Sequence, residues 1–399
     1  MAAAAEVLAE VFQRKAAADR TLTAWGRNHR FAGSKDRAAI ADRVYTVLRR
    51  RNECAFRMQN DTARALVIGS LAVADGLEPD AIAALCVDGQ HALGALTEDE
   101  RARVGDARAP TEPWVLFNYP QWLHSEFVQA FGADLPRELA ALCGRAPLDL
   151  RVNALKAERD SVVMELMAAG VIAGTLGVPN GLRISVGSDA KVTTLPAYLE
   201  GRVEIQDEAS QRAVLLAGVR PEDTVVDLAA GAGGKALALA VEMENRGRIL
   251  ACDVDGARLQ ALLPRAQRSG VSVIELAGDP YADGLTARCA GGADLVFVDA
   301  PCSGTGTWRR NPEAKWTLNA ARLDAYRAAQ RRLLDRAVAL AKPSGAIVYA
   351  TCSLLPSEGP QQLVALAQRH PGWRAEIVQT LTPYRDRTDG FFVARLVRV

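Results

Sequence analysis

The sequence has few of the residues that metal sites and disulfide frameworks require. Its seven cysteines include no pair spaced as Cys-x-x-Cys, and there are only four histidines. Zinc and iron–sulfur sites depend on such clustering, so we expect no metal. An odd number of cysteines without a pattern is typical of a reducing compartment.

Long apolar runs are missing as well. The alanine-rich start, residues 1–20, carries Glu6 and Glu10 within its apolar part, which interrupts the core that a signal peptide needs. Elsewhere we find no run that is apolar enough over its length to span a bilayer. These absences predict a soluble, cytoplasmic protein without a membrane partner, and we expect a monomer.

Net charge is almost absent, but the charges are unevenly distributed. The formal net charge is +1, which alone does not indicate a nucleic-acid-binding protein. Residues 1–60 nevertheless hold twelve Lys/Arg against six Asp/Glu, including the run Arg49-Arg50-Arg51. A solvated helical surface and a basic face for phosphates both explain this excess, and the sequence leaves the two interpretations open.

Apolar periodicity predicts three domains. Residues 1–104 show apolar spacings of three and four, which predicts helices, and the polar, proline-containing residues 105–113 indicate a linker. Residues 114–200 mix helical patterns with strand candidates at 148–153 and 182–187, which predicts a small α/β domain.

From about residue 201, short apolar strands alternate with helical stretches. The strand candidates are 224–229, 248–254, 272–278, 294–300 and 345–353, the longest helix candidate is 318–341, and 390–399 indicates a terminal strand. Buried strands that alternate with helices predict a doubly wound parallel sheet.

A glycine-rich turn follows the first of these strands, in 227-DLAAGAGGKALALA-240. A strand, a glycine-rich turn and a helix together form a nucleotide site, because small residues let the backbone approach a ligand. A phosphate-binding loop would need glycine at Ala229 and a hydroxyl at Ala236, and a dinucleotide fingerprint would need glycine at Ala236. S-adenosylmethionine has no phosphate and tolerates a looser turn.

Carboxylates follow three successive strands of this region. Asp253 is placed to bind ribose hydroxyls, Asp279 the adenine amine and Asp299 the methionine ammonium of S-adenosylmethionine. Each of them alone has an ordinary alternative as a helix N-cap. The three together favour S-adenosylmethionine as the cofactor.

Two cysteines lie beyond the last two parallel strands. Cys302 follows the fourth strand and Cys352 ends the fifth, and one long crossover helix joins the two strands. Such strands are expected to be neighbours, which brings both thiols to one cleft beside the cofactor. Cys252 and Cys289, by contrast, have the character of small apolar core residues.

A thiol beside a methyl donor indicates one reaction in particular. Carbon C5 of a pyrimidine is a poor nucleophile until a thiolate adds to C6 and makes the ring an enamine. C5 then accepts the methyl group, a base removes the C5 proton, and the thiol is eliminated. Asp299 would hydrogen-bond the ring at N3 or at its amine.

Six segments resemble the RsmB/Sun/Nop family of RNA cytosine-C5 methyltransferases, most closely its bacterial 16S ribosomal-RNA branch. They are 206-QDEAS-210, 227-DLAAGAGGK-235, 253-DVDGARL-259, 299-DAPCSGTGTWRRNPEAKW-316, 350-ATCSLLPSEG-359 and 389-DGFFVARL-396. The resemblance implies that Cys352 is the nucleophile, that Cys302 assists proton removal and product release, and that Lys235 lies near Asp299. It also implies contact with S-adenosylmethionine by Ala229, Ala230, Gly231, Ala232, Gly233, Gly234, Lys235, Asp253, Asp279 and Asp299.

The same resemblance extends upstream and implies the domain types. Residues 1–104 are similar to the NusB-like helical RNA-binding domain, best at 32–45, and residues 114–200 to the small α/β substrate-recognition domain of the family. Residues 201–399 then form a Rossmann-like class I methyltransferase domain. The sequence departs from the family at Ala232, where proline is usual, and at Ala236, where threonine is usual.

Two other functions compete with an RNA (cytosine-C5) methyltransferase. One is a DNA cytosine-C5 methyltransferase that uses Cys302, against which the Thr-Cys-Ser at residues 351–353 argues. The other is a non-catalytic RNA-binding ribosome-assembly factor, which would not need both cysteines and the three strand-end aspartates.

Overall fold

The N-terminal part is helical, as its periodicity predicts. A computed structural model of the chain describes residues 1–89, 92–106, 108–185, 191–289 and 292–399. The first ten α-helices are α1 (Ala2–Arg14), α2 (Ala18–Asn28), α3 (Ser34–Arg49), α4 (Arg51–Met58), α5 (Ala63–Val73), α6 (Pro79–Leu85), α7 (Glu98–Val104), α8 (Pro113–Leu116), α9 (His124–Phe131) and α10 (Leu135–Leu142).

A small antiparallel sheet follows these helices. Its elements are β1 (Leu148–Val152), α11 (Arg159–Ala168), β2 (Ala173–Thr175), β3 (Gly181–Ile184), α12 (Pro196–Leu199) and β4 (Val203–Ile205), with strand order β2-β3-β1-β4. The three-residue strands β2 and β4 were not predicted, because they are too short to show an alternation. Of the predicted strand 182–187, residues 186 and 187 lie outside the described residues.

The C-terminal part contains a seven-stranded sheet with the order β10-β11-β9-β8-β5-β6-β7. Its elements are α13 (Glu208–Ala217), β5 (Thr224–Asp227), α14 (Gly234–Glu242), β6 (Arg248–Cys252), α15 (Gly256–Gln260), α16 (Leu262–Ser269), β7 (Ile274–Gly278), α17 (Gly284–Arg288), β8 (Ala293–Asp299), α18 (Ala314–Thr317), α19 (Ala320–Leu340), β9 (Ala341–Thr351), α20 (Pro360–Arg369), β10 (Trp373–Leu381) and β11 (Phe391–Arg398).

This sheet is the doubly wound sheet that the sequence predicts. Strands β5 to β9 are parallel, and β11 and β10 continue the sheet in antiparallel pairing. Side chains alternate between its two faces, since Val225 and Phe297 lie in one apolar core and Val226 and Val296 in the other. Strand β10 was not predicted, because seven of its nine residues are exposed and it has no apolar stripe.

The described chain divides into two compact units. A helical unit comprises residues 1–145 together with 307–319, and a sheet unit comprises residues 146–306 together with 320–399. Residues 307–319 thus belong with the N-terminal helices, where Trp316 Nε1 donates to the Leu48 carbonyl at 2.8 Å. Across the described ranges, we find no helix long and apolar enough to cross a membrane.

Candidate active site at the carboxyl edge of the parallel sheet

The glycine-rich turn connects β5 to α14 at the carboxyl edge of the sheet. Gly231 and Gly233 have positive φ angles of 54° and 83°. Residues with a Cβ atom rarely adopt such angles, whereas glycine does so readily. A Cβ atom on Gly233 would also overlap the side chain of Leu262. The turn therefore needs glycine at these two positions for its shape and for its close packing.

Asp253 follows β6 and supports this turn. Its Oδ2 accepts a hydrogen bond from the Gly231 amide at 2.8 Å, and its Oδ1 accepts from the Asp255 amide at 2.8 Å. Each carboxylate oxygen has a second lone pair, so Asp253 can also accept from a hydroxyl pair. Asp279, which follows β7, is exposed and accepts from the Tyr281 amide at 2.8 Å.

Lys235 and Asp299 form an ion pair beside the turn. Lys235 Nζ lies 2.6 Å from Asp299 Oδ2 and 5.3 Å from the centroid of the Phe391 ring. Burial by itself lowers the pKa of Lys235, but the Asp299 carboxylate and, more weakly, Cys352 and Asp227 raise it above its ordinary value. Lys235 therefore stays a cation beside the Asp299 carboxylate.

Asp227, the last residue of β5, was missed as a site residue. Its side chain is fully buried, its Oδ1 accepts a long hydrogen bond of 3.4 Å from the Ala229 amide, and its Oδ2 has no partner among the described residues. Burial, and then the Asp299 charge, raise its pKa to about 7. A fourth aspartate at a strand end was the available signal, but Asp227 stands inside an apolar run and was interpreted as part of the strand.

These groups fit a cationic cofactor. Asp227, Asp253 and Asp299 are acceptors, and Lys235 supplies the one cation that pairs with them in the described structure. A phosphate would be repelled by such a set, whereas the ammonium and sulfonium of S-adenosylmethionine carry positive charge. The unpartnered Asp227 oxygen and the free lone pairs of Asp253 leave acceptors for its polar hydrogens.

The two cysteines lie side by side, as the order of the strands requires. Strands β8 and β9 are parallel neighbours, and Cys302 Sγ lies 3.4 Å from Cys352 Sγ. The hydrogen bond with Cys352, then burial and the charges of Cys352 and Glu358, raise the pKa of Cys302 well above its ordinary value. At this distance one thiol can donate to the other, and either sulfur can be the donor.

Glu358 ties the two cysteine loops together, and sequence analysis gave it no role. The side chain is fully buried, and its carboxylate accepts from the Ser303 amide at 2.9 Å and the Ser353 hydroxyl at 2.6 Å. It also accepts from Ser303 Oγ and, at 3.0 Å, from Gln330 Nε2. Because each serine directly follows a cysteine, one carboxylate sets the position of both thiols.

Further contacts bind the two loops to each other and to β11. The Leu354 amide donates to Thr305 Oγ1 at 2.8 Å, and the Gly306 amide donates to the Cys352 carbonyl at 3.0 Å. Gly390, just before β11, donates to the Gly306 carbonyl at 2.9 Å, so closely that a Cβ on Gly306 would overlap the Gly390 backbone. These contacts lock the cysteine loops in one arrangement.

The Cys252 and Cys289 thiols lie in the apolar core, and burial is the main cause that raises the pKa of each. Neither contacts the paired thiols. Among the described residues we find no cluster of three or more His, Cys, Asp or Glu side chains that would hold a metal ion.

The chain is similar to known ribosomal-RNA methyltransferases. The family described as 16S rRNA methyltransferase RsmB/F matches residues 213–397, and the ferredoxin-like domain described as RsmF/B-like matches residues 119–191. A probable ribosomal RNA small subunit methyltransferase B from Synechocystis sp. is 33% identical over 299 residues, which are 70% of this chain and 67% of that protein. The ribosomal RNA small subunit methyltransferase B of Sodalis glossinidius is 31% identical over 288 residues, 70% of this chain and 66% of its own length.

One solved structure extends the likeness to the fold. A methyltransferase homologue from Pyrococcus horikoshii superposes with a TM-score of 0.63 at 25% identity, over 72% of this chain and 98% of its own. The chain thus aligns with about two thirds of the length of the curated relatives and with nearly all of this smaller protein.

Proposed function

Because this chain belongs to the RsmB/F family of 16S rRNA methyltransferases, we propose that it methylates carbon C5 of a cytosine in small-subunit ribosomal RNA. The family implies S-adenosylmethionine as the methyl donor. The observation that carries the proposal is the pair of thiols 3.4 Å apart, at the same sheet edge as an acceptor-rich, glycine-rich turn.

We also propose the following division of labour along the chain. Residues 1–104 act as a NusB-like RNA-binding domain, 105–113 as a linker, 114–200 as the substrate-recognition domain and 201–399 as the methyltransferase domain. The helical character of α1 to α7 and the family match over residues 119–191 support this assignment.

In this proposal the turn residues 229–235 and the strand-end acids hold the cofactor. Asp253 accepts from the ribose hydroxyls, Asp279 from the adenine amine and Asp299 from the methionine ammonium, and Asp227 offers one further acceptor oxygen. When bound, the cofactor supplies a methyl group on a sulfonium, which is the electrophile. Asp299 also accepts from the cytosine amine or from a proton on N3 and so orients the ring.

The chemistry begins with the Cys352 thiolate, whose sulfur forms a bond to C6 of the ring while electron density moves to C5. Bond formation at Cys352 removes the acceptor and the charge that hold the proton on Cys302. Cys302 can then lose that proton to water and act as the base that takes the C5 proton after methyl transfer. The C6–S bond breaks as the ring regains its double bond, and Cys352 leaves as a thiolate.

The Thr-Cys-Ser at residues 351–353 argues against the reverse arrangement, in which Cys302 adds to C6 as in a DNA cytosine-C5 methyltransferase. DNA therefore remains the second candidate substrate, to be excluded directly.

The proposed activity is tested by methyl transfer from tritiated S-adenosylmethionine to 16S rRNA transcript, 23S rRNA transcript and double-stranded DNA. We expect label in 16S rRNA alone, and bisulfite sequencing then locates the methylated cytosine. In a strain that lacks the gene, the same cytosine should be unmethylated and should regain its methyl group when the gene is restored. Label in DNA but not in rRNA would overturn the proposal.

A further inference from the structure

The basic run at residues 49–51 is used inside the helical unit. Arg49 donates to the Arg309 carbonyl at 3.1 Å and lies over the Tyr45 ring. Arg50 donates to the Val73 carbonyl at 3.2 Å. A third arginine, Arg51, pairs with Asp61 at 3.1 Å and packs over the rings of Phe12 and Trp316. The positive charges here hold helices and the 307–319 segment together, which gives the run a structural role.

A different set of cations in the same unit is exposed and unpaired. Arg27, Arg30, Lys35 and Arg37 are exposed and form no ion pair within the described ranges. Arg37 Nε donates to the Ala32 carbonyl at 2.9 Å, which leaves its charge without a carboxylate. Other arginines of this unit are neutralised: Arg43 by Asp75 and Arg64 by Glu100. The unpaired four lie within eleven consecutive residues, at the end of α2 and the start of α3.

An exposed aromatic ring stands among these cations. Trp25 stacks on His29 with ring centroids 4.2 Å apart, and His29 meets Phe31 edge-on at 5.7 Å. Trp25 Nε1 donates to Glu6 at 3.0 Å, which anchors the start of this series to α1. Phe31 is 66% exposed although it is apolar, and its neighbour His29 is itself stacked on the buried Trp25. An exposed aromatic side chain is a surface on which a planar ring can stack.

A groove adjoins Trp25, at the other end of this series of rings. It has a volume of about 420 Å³ and is lined by Leu22, Trp25, Arg27, Arg37 and Ile40, with Thr23 and Gly26. A volume of this size suits one nucleotide or a small group of comparable bulk. Its walls combine apolar side chains with two of the unpaired guanidinium groups.

We propose that Arg27, Arg30, Phe31, Lys35 and Arg37, which we name the Phe31 face, bind a single-stranded stretch of the RNA substrate. The inference rests on the proposed function and gives the RNA a location on the helical unit. One unpaired base stacks on Phe31, and the neighbouring phosphates contact the four cations. Cations alone would bind any polyanion. The exposed aromatic ring among them favours a polyanion with planar groups that can stack, such as the bases of RNA.

The test compares salt dependence among variants of the full chain. Fluorescein-labelled single-stranded RNA of twelve nucleotides is bound at several salt concentrations by the parent, by Phe31→Ala, and by the triple variant Arg27→Gln/Arg30→Gln/Lys35→Gln. As a control of equal charge change, Arg220→Gln/Arg374→Gln/Arg398→Gln removes three exposed arginines of the sheet unit. All variants should unfold at the same temperature, since the replaced side chains are exposed.

The two kinds of variant should differ in how they fail. Loss of three phosphate contacts should lower the slope of log affinity against log salt by about 2 and weaken binding about tenfold or more near physiological salt. Phe31→Ala should weaken binding about tenfold with an unchanged slope, and Phe31→Trp should restore it. An equal effect of the control and test triples would overturn the proposal, because binding would then follow total charge alone.

Two further measurements, a methylation assay and a competition assay, distinguish failure of this inference from failure of the proposed function. If the parent methylates 16S rRNA and the Phe31 face variants keep the parent's KM for that RNA, the inference fails while the proposed function stands. If the parent does not methylate rRNA at all, the proposed function fails. If poly-glutamate displaces the labelled RNA as well as unlabelled RNA does, and Phe31→Ala changes nothing, the face binds an acidic protein instead, which also overturns the inference.

Discussion

The sheet edge and the Phe31 face use charged groups in opposite ways. At the sheet edge two charged groups are buried or partly buried and already paired: Glu358 is fully buried with four donors, and Lys235 forms an ion pair with Asp299. On the Phe31 face the cations are exposed and have no carboxylate partner among the described residues. Charges interact strongly where water is excluded and weakly where it is present. Single substitutions should therefore have large effects at the sheet edge and small, additive effects on the face.

The largest effect is expected at the two thiols, which should fail differently. Cys352→Ala should form no bond to RNA and yield no measurable product, because no thiolate adds to C6. Cys302→Ala should still add and methylate, but release slowly. It should therefore accumulate a protein–RNA adduct that requires S-adenosylmethionine and survives denaturing gel electrophoresis. The reversed pattern, with the adduct lost in Cys302→Ala and kept in Cys352→Ala, would show that Cys302 is the nucleophile.

The second effect concerns Glu358, whose role we propose to be positioning of the thiols. Glu358→Ala should lower kcat about a hundredfold, because a displacement of the order of 1 Å at reacting groups has that cost. The affinity for S-adenosylmethionine should be unchanged, and Glu358→Gln, which keeps one acceptor oxygen, should fall between Ala and Glu.

The pH profile separates positioning from a loss of folding. The Glu358 charge raises the pKa of Cys302. Removal of that charge should therefore move the pH dependence of C5-proton removal, the step assigned to Cys302, to lower pH. Gln362→Ala provides the matched control, since Gln362 is buried in the same region and donates to the Ser357 carbonyl at 3.1 Å. If both variants lose the same activity and neither shifts the profile, Glu358 only stabilises the fold.

The third effect lies in the cofactor site. Asp253→Ala should weaken S-adenosylmethionine binding by about 1.5–3 kcal/mol, which is the usual worth of a hydrogen bond to a charged group. Isothermal calorimetry measures this, and Asp255→Ala is the control, because Asp255 caps α15 through its side chain. Equal affinities of Asp253→Ala and the parent would refute the assignment of Asp253 to the ribose.

The fourth effect concerns folding stability at Asp227. Its pKa is about 7 in the folded protein against an ordinary value of 3.8, so the folded state holds the proton more tightly. The stability that Asp227 contributes is therefore fully present below pH 3.8, the ordinary pKa of an aspartate. It is lost as the pH rises through the folded pKa of about 7. Asp227→Asn should flatten the stability of the cofactor-free protein against pH in this window, by an amount on the order of a few kcal/mol. Urea unfolding at several pH values would reveal it, and parallel curves for variant and parent would contradict the expectation.

The smallest effect is expected in the helical unit, where the basic run at residues 49–51 is compared with the cations of the Phe31 face. Arg51→Ala should lower the free energy of unfolding by about 1 kcal/mol, since it loses its aromatic contacts and a partly exposed ion pair. The salt slope of RNA binding should not change. A flatter slope without a loss of stability would restore the run at residues 49–51 as a phosphate contact.

Local patterns were enough to predict the architecture of the site. Apolar runs that alternate with helical periodicity predict parallel strands, and the right-handed crossover makes β8 and β9 neighbours. The carboxyl ends of such strands share one edge, so the meeting of Asp253, Asp299, Cys302 and Cys352 was predictable without coordinates. The closeness of Lys235 to Asp299 came instead from the resemblance to a family.

Contacts between residues far apart in the chain were decided only by the tertiary structure. Nothing near Glu358 in the sequence indicates that its carboxylate reaches Ser303, 55 residues earlier. Nor does the basic run at residues 49–51 indicate that Trp316 covers Arg51, or that Arg27 and Lys35 remain unpaired. Sequence periodicity specifies which face of an element is buried, because that depends on neighbours along the chain. Which buried donor meets which acceptor depends on packing between elements. At the sheet edge and on the Phe31 face, that pairing decides which charged groups remain available for a ligand.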